Sequence, residues 1–144
     1  MTGADIAEFV AARLDEDEAA ANATESPSPW KGADDESDNW IVTDATGEPV
    51  IYDEGTPTLN EAKHIARHDP ARALREVEAK RKIMDEIFHY EALIDSERGC
   101  CCAASRIRNG ECRSSPPDQI DGLRDLASIW SDHPDYRPGW APAR

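Results

Sequence analysis

All four cysteines of this chain, Cys100, Cys101, Cys102 and Cys112, fall within a stretch of thirteen residues. No other feature constrains the chain as much, because thiols held together have few chemical uses. Cys100 and Cys102 stand in a C-x-C arrangement, Cys112 follows ten residues later, and His89 precedes Cys100 by eleven. Three thiolates and one imidazole are enough to fill a tetrahedral zinc site. Cys100, Cys102, Cys112 and His89 are therefore the candidate metal ligands, with zinc as a structural cofactor. Between them, Asn109-Gly110 is a pair able to turn the chain back on itself. Two other readings stay open. The cysteines could simply be reduced and packed in a loop, or serve in redox chemistry or an intermolecular disulfide, since Cys101 has no place in the metal set.

A chain of 144 residues with 39% apolar side chains predicts one small domain with a modest core, which a metal staple would help. The net charge of -14 is unevenly placed: residues 1–54 carry 15 acidic side chains against only Arg13 and Lys31. Such a surface disfavours a phosphate backbone, so nucleic acid is not the expected partner; a basic protein is, or the charge serves solubility. No run of roughly 20 apolar residues exists to cross a membrane. The first residues have neither a basic nor an apolar leader pattern, so the cytoplasm is the expected location, where thiols stay reduced.

The fold class expected is α+β and mainly helical. Ile6, Phe9, Val10 and Leu14 recur at helical spacing and predict an N-terminal helix over about 1–22. Residues 23–38 read as an acidic loop whose Trp30 is expected to fold back onto a core, the rival reading being an exposed anchor for a partner. Two β-rich runs, Trp40 to Thr43 and Val50 to Tyr52, with turn residues between them, predict a hairpin over 39–53. A helical segment from Leu59 leads to Asp69-Pro70, a capping residue and a first-turn proline, and so to a long helix ending near Arg98 at Gly99. The cysteine loop spans 99–117. Residues 118–144 form a last helix, capped by Asp118, and an aromatic tail expected to dock. Apolar positions on the long helix would serve a dimer as well as a monomeric core, so the oligomeric state stays open.

Other constellations carry less. His64 and His68 share a helical face, with His133 as a conceivable third metal ligand, but no glutamate follows the first histidine as zinc-protease chemistry requires. Glu76–Lys80 and Glu78–Lys82 are pairs at i,i+4 on a solvated face, and Lys80-Arg81-Lys82 is a basic patch of only three. No phosphate loop, nucleophile elbow or recognisable carboxylate pair is present, so a non-enzymatic protein is expected.

The stretch His64-Ile65-Ala66-Arg67-His68-Asp69-Pro70 running on to Arg81, and the later Asp132-His133-Pro134-Asp135-Tyr136, resemble a small family of unknown function from actinobacteria and their phages. The resemblance covers most of the chain and implies its layout: acidic helix end, Trp loop, hairpin, long helix, cysteine-bearing loop and D-H-P-D-Y tail. It also implies a metal in the cysteine loop, although the triple-cysteine run departs from the family pattern. It assigns no activity. The function expected is action through protein contacts. The alternatives are a DNA-associated regulator using Arg106, Arg108 and Arg113 of the cysteine loop, and a thiol-dependent enzyme or redox protein.

Overall fold

The longest element is defined by its two ends. Asp69 precedes Pro70 and its Oδ1 accepts the backbone N–H of Arg72 at 2.8 Å, which satisfies an N-terminal donor that the helix itself leaves unpaired. At the other end Gly99 adopts φ +85°, a left-handed conformation that stops the helix at little cost only for glycine. Helix α3 (Pro70–Glu97) lies between these signals. The computed structural model describes residues 5–34, 40–51 and 57–142. Among them, the order is α1 (Ile6–Asn22), β1 (Lys31–Asp34), β2 (Trp40–Thr43), β3 (Pro49–Ile51), α2 (Leu59–Arg67), α3, α4 (Ala104–Arg108) and α5 (Asp121–Ala127). Short 3-10 turns at Pro117–Gln119, Ser128–Trp130 and Pro138–Trp140 complete the C-terminal part. The architecture is α+β and mainly helical, as the sequence predicts. None of these helices is long and apolar enough to cross a membrane.

The chain groups into two compact units, residues 17–77 and residues 1–16 with 78–144. The first is built on an antiparallel sheet of order β1-β2-β3. The third strand corrects the sequence reading: β1 lies in the segment expected to be an acidic loop and pairs with β2 from Lys31↔Thr43 to Asp34↔Trp40. Its sequence, Lys-Gly-Ala-Asp, has no β-branched or aromatic residue, and pairing with β2 overrides that weak propensity. The strand runs close over α2: a Cβ at Gly32 would lie in ordinary contact, 3.5 Å from the Ala62 backbone. Ala62 and Ala66, one turn apart, let α2 approach the sheet, and both are buried with Val42. Trp30, Trp40, Val50, Ile51 and Ile65 pack around them. Trp30 thus folds back as expected, with its backbone N–H donating to Asp69 Oδ2 at 3.3 Å. The hairpin turn is held by Asp44, whose Oδ1 accepts from the Thr46 and Glu48 backbone N–H groups at 2.8 and 3.1 Å. Asn39, Tyr52 and Asp53 of the expected hairpin, and residues 1–4 of the expected first helix, lie outside the described residues.

In the other unit, Ile6, Phe9, Val10 and Leu14 of α1 are buried, as are Met84 and Phe88 of α3, Ile107 of α4, and Leu123 and Leu126 of α5. The C-terminal tail docks: Tyr136 and Trp140 lie 6.0 and 5.1 Å, centroid to centroid, from the Phe9 ring. Arg13 is buried beside it, with Nη1 2.8 Å from the His133 ring nitrogens and Nη2 2.6 Å from Glu16. Asp118 departs from its expected role. Pro117 begins a 3-10 turn that carries Asp118, α5 starts only at Asp121, and Asp118 Oδ1 accepts the Ile6 N–H of α1 at 3.0 Å. The basic patch on α3 is engaged within this unit. Lys80 sits 5.4 Å from the Trp130 ring centroid, Arg81 pairs with Asp15 at 2.7 Å, and Lys82 pairs with Glu78 at 2.6 Å as expected. Glu76 meets Arg72 at 2.6 Å, within residues 17–77.

Candidate metal site

Two glycine turns bring the thiols together. At the end of α3 the Gly99 N–H bonds to the Ser96 carbonyl at 3.2 Å and the Cys100 N–H to the Asp95 carbonyl at 2.9 Å. This paired reversal folds the residue after the glycine back onto the last helical turn. Cys100 therefore returns to the level of Asp95. The same device recurs after α4, a helix inside the expected cysteine loop. Gly110 adopts φ +70°, its N–H bonds to the Ile107 carbonyl at 3.0 Å, and the Glu111 N–H bonds to the Arg106 carbonyl at 2.9 Å. Ile107 is fully buried and anchors that short helix. The second reversal delivers Cys112 to the first pair of thiols.

The result is a cluster of Asp95, Cys100, Cys102 and Cys112 in which one donor atom from each lies within 4.8 Å of the others. Cys100 Sγ is 3.3 Å from Cys102 Sγ and 3.7 Å from Cys112 Sγ. The Cys112 thiol donates to Asp95 Oδ2 at 2.9 Å. Sulfurs bound to one tetrahedral zinc at about 2.3 Å would stand about 3.8 Å apart, the edge of the tetrahedron. The spacing of the cysteines is therefore compatible with a shared metal ion, and all four cysteines are free thiols. Cys112 and Asp95 are buried, and Cys100 and Cys102 are half-buried. Cys101 is exposed and stands outside the cluster.

Asp95 is fully buried, and its surroundings orient it. The Ser115 hydroxyl donates to Oδ1 at 2.8 Å and the Ser114 hydroxyl to Oδ2 at 3.3 Å. Ser115 occupies one oxygen and leaves Oδ2 facing the thiols, the outer support that metal-binding carboxylates ordinarily have. Hydrogen bonding from the Cys112 thiol, and then from Ser115, holds the Asp95 carboxyl below its ordinary value, although burial pushes the other way. Hydrogen bonds from Ser114, Cys102 and Cys112 likewise lower the Cys100 thiol. Cys102, beside Cys100 and Cys112, is pushed up to about 12. Without a cation the cluster keeps a proton on Cys102 to avoid crowding negative charge.

Cys100, Cys102 and Cys112 are thus brought together as the sequence predicts, and His89 is not among them. His89 is exposed on α3. It stands six residues before Asp95, and at about 100° per residue six steps rotate a side chain to a different face. The fourth position is taken by Asp95, one of 30 acidic residues and so inconspicuous by composition. A signal for it did exist. Val77, Met84, Phe88 and Asp95 are the buried residues of the same helical stripe, so this carboxylate sits in phase with the core just before the glycine stop.

The other candidates are occupied or exposed. His64 on α2 and His68 just past its end are exposed, their rings 4.4 Å apart, with His68 Nδ1 2.8 Å from the His64 carbonyl. His133 is engaged by Arg13 and accepts the Asp135 N–H at 3.1 Å. Of the loop arginines, Arg106 pairs with Glu111 at 3.1 Å and Arg108 pairs with Asp85, its guanidinium 5.0 Å from the Phe88 centroid. Arg113 is exposed.

No curated protein and no solved structure matches this chain. The profile of a family of unknown function, DUF6221, matches residues 3–142, almost the whole length, and the chain belongs to that family.

Proposed function

We propose that this is a non-enzymatic protein in which Asp95, Cys100, Cys102 and Cys112 hold one structural zinc ion, and which acts through protein contacts. The observation that carries the reading is the convergence of these four donor atoms within 4.8 Å at the junction of two glycine reversals. Three sulfurs and one carboxylate favour zinc over magnesium or calcium, which prefer all-oxygen shells. Four protein ligands close the coordination shell and leave no position for a substrate, which is the pattern of a structural and not a catalytic ion. The partner reading rests on residues 1–54, where acidic side chains outnumber basic ones 15 to two. A basic protein surface complements that charge, and the contact would weaken steeply with salt.

Elemental analysis of protein purified without metal affinity, with thiol titration alongside, tests the metal. One zinc per chain is expected, with Cys100, Cys102 and Cys112 protected and Cys101 reactive. Cobalt substituted for zinc should give the absorption of a tetrahedral thiolate site. The rival reading, a reactive thiol, draws on the lowered pKa of Cys100 and its 3.3 Å approach to Cys102. Metal-free protein whose Cys100 reacts faster than a peptide thiol would favour that rival and sink the zinc reading.

A further inference from the structure

Helix α3 buries Val77, Met84, Phe88 and Asp95 on one side. On the opposite side, Ala79, Ile83, Glu86, Tyr90, Leu93 and Glu97 are all exposed. Their spacing of four, three, four, three and four residues is the repeat of a coiled-coil seam. Ile83, Tyr90 and Leu93 remain 47, 69 and 51% exposed, an apolar cost in a helix that otherwise carries charge outward.

This seam reads the same from both ends. Laid antiparallel against itself, Ala79 faces Glu97, Ile83 faces Leu93 and Glu86 faces Tyr90, each twice about a two-fold axis. The central pair sets a carboxylate against a phenol hydroxyl, the Ile83–Leu93 pairs beside it set apolar against apolar, and the outermost pairs set Ala79 against Glu97. The charges select the same orientation. Residues 80–82 are all basic, whereas residues 83–97 hold five acids and no lysine or arginine. Antiparallel pairing sets Lys82 opposite Ile94 and within one turn of Glu97 of the second copy; parallel pairing would stack Glu86 on Glu86 and Glu97 on Glu97.

We propose that the outer face of α3 from Ala79 to Glu97 is a self-association surface, which pairs antiparallel with the same face of a second copy of this chain. The seam is about 27 Å long at 1.5 Å per residue, so the contact is small and the dimer a weak, exchanging one. A net charge of -14 on each copy opposes association, so screening salt strengthens it. The surface is independent of the metal reading.

Sedimentation equilibrium of the reduced chain tests this across a concentration series. The mean mass should climb from that of a 15.9 kDa chain toward twice that value, and climb sooner as salt rises. Ile83→Lys or Leu93→Glu alone should weaken the dimer by about tenfold or more, because each buries two unpaired charges, one from each copy. The double variant should recover most of the loss, because the new cation and anion then face each other across the two-fold. A monomer at every concentration, a dimer indifferent to the single changes, or a double variant no better than the singles would each overturn the proposal.

Discussion

Asp95 shows how a single side chain acquires a role that its type does not announce. It is buried at the end of α3, where an unpaired carboxylate is costly, and it is supplied with donors from Cys112, Ser114 and Ser115. Ser115→Ala removes the hydroxyl that holds Oδ1 and should lower metal affinity by about 10–100-fold with the thiols unchanged, read by chelator competition. The protonation pattern gives a sign for pH. Cys102, pushed up to about 12, must release its proton for metal to bind, so apparent affinity should rise with pH by about tenfold per unit for each proton displaced. In the metal-free protein, Asp95 is held below its ordinary value of 3.8. Its contribution to stability is then present above that value and is lost as acid carries the pH through the lowered one. Cys102 has the reverse sign, stabilising below its ordinary value of 9.0 and losing that contribution as the pH climbs toward 12. Urea unfolding of metal-free protein across pH should show both flanks.

Among the elements, the two helix-ending glycines do the positioning. A side chain at Gly99 would meet nothing within 4 Å, so the cost of Gly99→Ala is one of backbone conformation, about 1–2 kcal/mol. The turn also sets Cys100 against Asp95, so metal affinity should fall together with stability. Gly139→Ala is the matched control: its position too is open, and its backbone is not left-handed. Equal losses in the two variants would show that the Gly99 turn does not position the site. Long elements with strong end signals were legible in the sequence, as Asp69-Pro70 and Gly99 bounded α3 and the apolar stripe marked α1. The short ones were not. β1 forms because β2 and α2 are there to receive a strand of low intrinsic propensity, and α4 forms around one buried residue, Ile107, inside a stretch that composition marks as loop.

In the whole molecule, each compact unit has its own apolar cluster: Val42, Ala62 and Ala66 in residues 17–77, and the α1, α3 and α5 side chains in the other. Asp95, Cys100, Cys102 and Cys112 all lie in the second. Removing metal with a chelator should therefore raise hydrogen exchange over residues 95–115 and lower the melting temperature, while α2 and the sheet keep their protection. Loss of protection in both units together would indicate that the chain melts as one cooperative body. The sequence by itself determined the helical class, the ends of the long helix and the gathering of three thiols, because caps, glycines, periodicity and cysteine spacing act over a few residues. The tertiary structure alone decided that Asp95 and not His89 lies beside the three thiols. Which face of a helix turns inward depends on what packs against it, and only that packing tells a buried carboxylate from the exposed ones around it.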